Sequence, residues 1–326
     1  MALACGIPRW SASADGKRLA LWKQRAIFVV ERDGKLVKRL DASSEVLAVF
    51  LSPDGEAVVC ELLRAREVGG TTNFSTELLL FDVESGIDRP VGEGFVGDGW
   101  SPDGSYFAFV ARDGVTVYER RTGRCRALLR DVRAPACWAP DGRALYAIRK
   151  GAEEGRGRLV RVSMAGEVER LADTAECGWV RAGADGSVWV AAPERGSILK
   201  PEKLDKLGEE LYHARLRRWD AKARRLVQIS DEAIPWVEPS PDGKRILAMI
   251  LRPGEGNDIT AVLAPDGAIE KTLHADRSGH LEALPTWLDA STVVLCVRCA
   301  DKVHVWMIDV ATGKRTDWTA AYEALK

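Results

Sequence analysis

A short motif, Ser-Pro-Asp-Gly followed by an apolar strand, recurs along this chain and constrains its fold more than any other feature. Its clearest copies are LSPDGEAVVC, WSPDGSYFAFV, WAPDGRALYAI and PSPDGKRILAMI, which begin at residues 51, 100, 138 and 239. Weaker copies begin at residues 10, 182 and 286. Successive glycine positions lie 39, 49, 38, 44, 57 and 48 residues apart. One propeller blade of four strands has roughly this length, about 40–50 residues.

The chemistry of the motif predicts a tight hairpin. Proline presets φ at the first corner, the Asp side chain accepts bonds from following backbone N–H groups, and Gly tolerates positive φ. The β-branched and aromatic residues that follow favour a strand. The predicted turn residues are Asp15, Gly16, Asp54, Gly55, Asp103, Gly104, Asp141, Gly142, Asp185, Gly186, Asp242 and Gly243, and Ser291 takes the glycine position of the last copy.

A second set of seven turns lies between these anchors, at ERDGKL, DVESGI, RRTGRC, SMAGEV, WDAKAR, APDGAI and DVATGK. Each unit therefore reads strand A, SPDG turn, strand B, loop, strand C, second turn, strand D. The count of SPDG turns and the count of second turns are both seven. They predict an all-β fold, a seven-bladed β-propeller of four-stranded antiparallel blades, with six or eight blades as the alternative.

The predicted organisation is one propeller domain, 1–326. Its blades are expected at about 1–43, 44–92, 93–131, 132–174, 175–231, 232–276 and 277–320, followed by a short tail at 321–326. The first unit begins with its own strand A and the last ends with its own strand D, near Thr316 to Ala320. We therefore expect blade 1 to pack against blade 7 without exchanging strands.

The SPDG-centred repeat, preceded by Trp in its clearest copies, resembles the WD40-like repeats of the TolB and tricorn-protease propeller group. The resemblance covers nearly the whole chain and implies the propeller fold. The Trp-Asp ending of WD40 repeats is missing, because strand C ends instead in forms such as Phe81-Asp82-Val83. Propellers of this group include partners of peptidase domains, and no hydrolase signature such as G-x-S-x-G occurs here.

The charge and hydrophobicity of the chain limit the classes of partner that it is expected to bind. The formal net charge is −1, so no overall electrostatic attraction to nucleic acid or to an anionic membrane is expected. No apolar run approaches the roughly 20 residues of a membrane span. The seven cysteines form an odd set without a recognisable export signal, which favours free thiols and a cytoplasmic location. A periplasmic location is the alternative if an export signal has been removed.

The longer connections are predicted at the end of the blades opposite the turns. They are the B–C segments 66–75, 150–157, 193–211 and 252–257, and the D–A segment 274–280. Because loops on rigid scaffolds often carry function, we expect this side to hold a partner site. Its candidate contact residues are Asn73, Phe74, Glu153, Glu154, Leu204, Leu207, Trp236, Asp276 and His280. Leu204 and Leu207 follow helical spacing within the largest insertion.

Candidate metal and redox patterns are weaker. His274, Asp276, His280 and His213 offer ligand types without a readable geometry, so no metal and no cofactor are predicted. Cys296 and Cys299 have C-x-x-C spacing, but residues three apart on a strand point to opposite faces, which favours a structural role. The basic run 215–225 is expected to be a solvated hairpin rather than a phosphate site.

The leading functional hypothesis is a non-catalytic interaction scaffold that binds a protein or peptide, as a monomer or within a hetero-complex. A third hypothesis is the sensor or regulatory part of a larger assembly. The alternative is a small-ligand binder or metal-dependent enzyme at the mouth of the central channel, where Asp98 and Glu238 are the clear acids of the A strands.

Overall fold

The protein is a seven-bladed β-propeller, and each blade contains a four-stranded antiparallel sheet, as the repeat predicts. The structure is a computed structural model. It describes all residues except 1–9, 69–70, 113, 133–134, 154–155, 176–177, 194–213, 253–257, 276–279, 282, 301 and 326.

The first four blades contain the first sixteen strands in simple chain order. Blade 1 comprises β1 (Ser11–Ala12), β2 (Arg18–Lys23), β3 (Ala26–Glu31) and β4 (Leu36–Asp41). Blade 2 comprises β5 (Val46–Leu51), β6 (Ala57–Val68), β7 (Thr71–Asp82) and β8 (Asp88–Glu93). Blade 3 comprises β9 (Phe95–Trp100), β10 (Tyr106–Ala111), β11 (Gly114–Glu119) and β12 (Arg124–Arg130). Blade 4 comprises β13 (Cys137–Trp138), β14 (Ala144–Lys150), β15 (Arg156–Ser163) and β16 (Val168–Ala175).

The last three blades continue this order. Blade 5 comprises β17 (Trp179–Ala182), β18 (Val188–Pro193), β19 (Ala214–Asp220) and β20 (Arg225–Gln228). Blade 6 comprises β21 (Ala233–Pro239), β22 (Ile246–Leu251), β23 (Ile259–Leu263) and β24 (Ile269–Ala275). In blade 7, β25 (His280–Leu281) and β26 (Thr286–Trp287) both pair with β27 (Thr292–Cys299), followed by β28 (Lys302–Asp309) and β29 (Arg315–Asp317). One helix, α1 (Thr319–Ala324), ends the described chain.

The contacts group the chain into two compact units. The first unit comprises Ala2–Phe107, Tyr118–Cys125 and Gly279–Lys326, which includes blades 1, 2 and 7. The second comprises Ala108–Val117 and Arg126–Ser278, which includes blades 4, 5 and 6. In the second unit, Cys137 and Ile148 of blade 4 pack on Val180 and Val190 of blade 5 in one apolar cluster.

The motif turns have a shared hydrogen-bond pattern. In blade 1, the Ser13 hydroxyl donates to Asp15 at 2.8 Å, and Asp15 accepts the Lys17 N–H at 3.0 Å, while Gly16 has a φ of 65°. Blade 6 repeats this with Ser240, whose hydroxyl donates to Asp242 at 2.7 Å. These hydrogen bonds offset much of the free energy needed to keep the carboxylate ionised at the turn.

The turn carboxylates therefore titrate at unusually low pH. The Lys17 amide and the Ser13 hydroxyl lower the pKa of Asp15 to about 2. Partial burial opposes ionisation of a second group of turn carboxylates, but their N–H and O–H donors outweigh it, so their pKa values are also lowered. This group comprises Asp54, Asp103, Asp242 and Asp289.

Acid is expected to destabilise the protein through these turns. A carboxylate with a lowered folded pKa contributes stability above its unfolded value, and this contribution is lost as the pH falls through the folded pKa. The free energy of unfolding in urea should therefore fall between about pH 4 and pH 2. Ser13→Ala should raise the Asp15 pKa, measured by carboxyl carbon NMR; an unchanged Asp15 titration would contradict this assignment.

Blades 1 and 7 pack directly on each other, as the sequence predicts. A single apolar cluster contains Trp10, Leu19 and Phe28 of blade 1 with Val294 and Met307 of blade 7. Within the described residues, each of the two sheets is built from its own stretch of chain, so no strand is exchanged.

The end of the chain differs from its prediction. The last strand stops at Asp317 rather than continuing to Ala320, and residues 319–324 are helical. The Thr319 hydroxyl accepts the Val305 N–H at 3.1 Å, and Asp317 accepts the Thr319 N–H at 2.8 Å. The side chains of Thr319 and Asp317 thus accept hydrogen bonds from backbone N–H groups that a longer β29 would use in its ladder. The ladder therefore ends at Asp317, and a helix begins.

Candidate interaction surface

Blade 2 carries a projection formed by its two long central strands. β6 and β7 each have 12 residues, and they pair without interruption from Ala57↔Asp82 to Val68↔Thr71. The outer strands stop earlier, because β5 reaches only Leu62 and β8 reaches only Glu77. Residues 63–68 and 71–76 therefore form a two-stranded ribbon beyond the four-stranded part of the blade. We call this ribbon the blade 2 arm.

The arm corrects one sequence prediction. Residues 66–75 were expected to be a loop, but the described residues of this segment belong to β6 and β7. Gly69 and Gly70 stand between two runs of strand-forming residues, which is the sequence signal of a two-residue hairpin. That signal could have identified the arm, since a flexible loop of this length needs no such arrangement.

The base of the arm is held at both edges. On the β6 side, Leu63 N–H donates to Glu45 O at 2.9 Å, and the Ser44 hydroxyl donates to Leu63 O at 2.8 Å. On the β7 side, Gly94 N–H donates to Thr76 O at 3.1 Å. Across the ribbon, Arg64 Nε donates to Glu77 Oε2 at 2.6 Å. These bonds fix the direction in which the arm leaves the blade.

Phe74 is a large apolar side chain presented to solvent on the arm. It is 67% exposed and stands opposite the exposed Ala65. Exposure alone is a weak signal, because Ile87 at the opposite end of blade 2 is 71% exposed. The position of Phe74 on a projecting ribbon is what distinguishes it. Asn73, predicted beside it, lies in β7 opposite Arg66.

The remaining predicted contact residues have different settings. Glu153 forms an ion pair with Arg156 at 2.7 Å. His280 lies in β25 opposite Arg298. Trp236 is only 3% exposed, so its ring is part of the interior and cannot serve as a surface anchor as placed. The other four, Glu154, Leu204, Leu207 and Asp276, lie outside the described residues.

Of the four candidate metal residues, the structure describes His274 and His280, whereas His213 and Asp276 lie outside the described residues. Across the described ranges, no group of three or more His, Cys, Asp or Glu side chains could hold a metal ion. His274 is buried in β24. Cys296 is buried, whereas Cys299 at the end of the same strand is partly exposed. Burial raises the pKa of the Cys60 thiol to about 12, so this sulphur stays protonated and unreactive.

A polar pocket at the turn end of blade 3 was not foreseen from the sequence. Its volume is about 670 Å³, and it is lined by Arg89, Asp103, Gly104, Ser105, Tyr106, Glu119, Arg120 and Arg121. Arg120 donates to Asp54 Oδ2 at 2.6 Å and lies over the Trp100 ring at 5.7 Å. Arg89 donates to Arg120 O at 2.8 Å. Both guanidinium groups therefore bridge blades 2 and 3.

No protein-family model matches the sequence, and no curated protein is significantly similar to it. Solved structures do share its fold. TolB from Acinetobacter baumannii is 14% identical with a TM-score of 0.55, over 97% of this chain and 66% of that chain. The tricorn protease is 13% identical with a TM-score of 0.62, over 95% and 34%. Kuenenia stuttgartiensis hydrazine synthase is 15% identical with a TM-score of 0.57, over 96% and 95%.

The chain has a TolB- and tricorn-type β-propeller fold. At these identities the likeness concerns the fold alone, since one propeller architecture serves many unrelated functions. This TolB-type propeller spans 66% of the TolB chain and 34% of the tricorn protease chain. The likeness therefore does not extend to the activities of those whole proteins.

Proposed function

We propose that this propeller is a non-catalytic scaffold that binds a protein partner through the blade 2 arm. The observation that carries the proposal is the ribbon of residues 63–68 and 71–76, which projects from the blade and carries the exposed Phe74. Large aromatic side chains are enriched among the residues that dominate binding energy at protein interfaces.

The energetics of the arm support this proposal. A two-stranded hairpin without a covering layer is marginal in water by itself. Here the hydrogen bonds of the base stabilise it. Among the outer side chains that the structure describes, Ala65, Glu67 and Phe74 are exposed and add little to the buried apolar core. Exposing a large aromatic ring there gains nothing for folding, whereas covering it in a complex would remove much of its apolar area from water.

The chain offers a matched control for the arm. Ile87 is as exposed as Phe74 and lies in the same blade, but it follows the C–D turn at the opposite end. Both residues are large and apolar, and both are mostly exposed, so truncating either one should change stability little. A difference between them therefore reports position rather than hydrophobicity.

Replacing Phe74 is expected to weaken partner binding. A photoreactive phenylalanine analogue at position 74 should crosslink a protein in living cells of the source organism, whereas the same analogue at position 87 should not. With the crosslinked protein purified, Phe74→Ala should weaken binding at least about tenfold by calorimetry, and Ile87→Ala less than about twofold.

The proposal has clear failure outcomes. Equal crosslinking at positions 74 and 87 would show non-specific adhesion. Absence of any crosslink at 74, combined with a copurifying small molecule or metal, would move the function to the channel mouth. Unchanged melting temperatures of the two alanine variants are required, because both side chains are solvent-exposed.

A further inference from the structure

The hydrogen-bond pattern of the arm defines which backbone groups point outward. Leu63 and Thr76 are directly opposed, yet Leu63 N–H and O bond to residues 44–45, and Thr76 O bonds to Gly94. They are therefore a pair whose N–H and C=O groups face away from each other. In an antiparallel ladder this property recurs every second residue.

Two residues of β7 consequently turn their N–H and C=O groups to a side on which no described strand pairs with them. Thr72 and Phe74 lie four and two residues from Thr76 in an uninterrupted register, so their N–H and C=O groups point to the outer side of β7. β8 ends its pairing at Glu77, and no strand of the described chain continues along residues 72–75 on that side. Thr72 and Phe74 therefore form an open sheet edge.

The two edges of the arm differ in how they are protected. Natural proteins usually blunt an exposed edge with charged residues, Pro or a covering segment. The β6 edge follows this rule, since its segment 64–68 reads RAREV. The β7 segment 71–76 reads TTNFST and contains neither a charge nor a proline. Its Thr and Phe residues are also good strand formers.

We propose that the partner binds by adding an extended segment as a new strand along β7 at residues 72–75. This inference rests on the proposed function of the arm. The outward N–H and C=O groups of Thr72 and Phe74 would supply the main-chain bonds. The uncharged edge fits an uncharged segment, and Phe74 fits an apolar or aromatic side chain beside it. The occupant is thus a β-strand-forming peptide segment of another protein.

The small size of the edge favours a different protein over a second copy of this chain. The four residues 72–75 extend about 13 Å in a strand. Two copies that met only through this edge would share a short ribbon contact, whereas stable interfaces bury about 1,200–2,000 Å². A different partner can add contacts from the rest of its own surface.

Proline at position 72 tests the backbone bonds without removing the arm. Thr72→Pro deletes an N–H that points outward, and proline is tolerated on strand edges in that orientation. Thr72→Ala changes the same side chain but keeps the N–H. The probe is a random-peptide library displayed on phage and selected on the full-length protein, with enriched peptides synthesised and measured by calorimetry.

We expect enriched peptides to be rich in β-branched and aromatic residues. Thr72→Pro should weaken them at least about tenfold, and Thr72→Ala less than about twofold. Equal far-ultraviolet circular dichroism and melting of the two variants would show that the arm persists. Failure to enrich any peptide, or equal affinities for the two variants, would overturn strand addition.

The outcomes also separate this inference from the proposed function. If Phe74→Ala weakens the crosslinked partner but Thr72→Pro does not, the arm binds through side chains and only strand addition fails. If neither variant matters, both proposals fail. If sedimentation equilibrium shows a dimer that Thr72→Pro abolishes, the occupant is a second copy, and the proposed partner class is wrong.

Discussion

Truncation of the chain after Trp318 is expected to lower the free energy of unfolding by about 3–5 kcal/mol. The helix removed, α1, packs on the contact between blades 1 and 7. Leu325 is buried in the apolar cluster of those blades, and the Tyr322 ring lies 5.4 Å from the ring of Trp10. Loss of both side chains exposes the apolar surface that they cover.

Lys23 makes the effect larger than apolar burial alone. Its ammonium group donates to Tyr322 O and, at 3.1 Å, to Leu325 O, and it lies 4.2 Å from the Tyr322 ring centroid. These carbonyls lie at the end of the helix, where a cation is favourable. Truncation removes these acceptors from the ammonium group. Burial lowers the Lys23 pKa in the full chain, so the hydrogen bonds to the two carbonyls offset part of the cost of keeping a partly buried ammonium charged.

The measurement is urea unfolding of the truncated and full-length proteins, with hydrogen exchange of β1 and β28. Loss of protection should concentrate in these two strands, because both contribute to the apolar cluster on which the helix packs, and because the Val305 N–H of β28 loses the Thr319 hydroxyl. Glu323→Ala is the control, since Glu323 is exposed on the same helix and its removal should change stability by less than about 0.5 kcal/mol. A truncated protein as stable as the full chain would show that the helix does not hold the blades together.

Replacing Gly267 by Ala should cost at least about 2 kcal/mol more than the same change at Gly166. Both glycines occupy C–D turns and have a φ of 90°. An added Cβ at Gly267 would lie 2.0 Å from the carbonyl oxygen of Ile229, whereas an added Cβ at Gly166 would meet nothing within 4 Å. The backbone strain is thus shared, and only the steric clash differs.

The clash at Gly267 involves main chain, which cannot rotate away. Ile229 N–H donates to Leu216 O at 3.0 Å, so moving its carbonyl would disturb the end of blade 5. Gly166→Ala should cost only the roughly 1 kcal/mol of a positive φ in a residue with a Cβ. Guanidinium unfolding of both variants measures the difference. Equal losses would mean that the turn of blade 6 can shift away from Ile229 freely.

The turns of the propeller were predictable from sequence because their bonds are local. The Ser13 hydroxyl and Asp15 are two residues apart, and Ser13 accepts the N–H of Arg18 only five residues on. A repeated local pattern of this kind indicates a repeated hairpin, and the apolar residues between hairpins indicate strands. The same reasoning predicted the number of blades and the packing of blade 1 against blade 7.

The candidate surface was predicted only in part. Phe74 was predicted to be an aromatic contact residue, and the structure places it on an exposed ribbon. Trp236 was chosen by the same criterion, but it is buried in β21. Residue type alone cannot separate these two cases, because exposure depends on which blade packs against the strand. The register of the arm, which orients Thr72 and Phe74 outward, is also a property of long-range pairing.

The amino-acid sequence by itself determined the seven repeats, the turn chemistry and the four-stranded pattern, since each depends on residues close together in the chain. Tertiary structure decided the features that depend on distant partners. Residues 66–75 are mostly strand because β6 pairs with β7 beyond the ends of β5 and β8. Residues 319–324 are helical because Trp318 and Leu325 enter a cluster formed by the first and last blades. Such contacts join residues some 300 positions apart, and no local pattern encodes them.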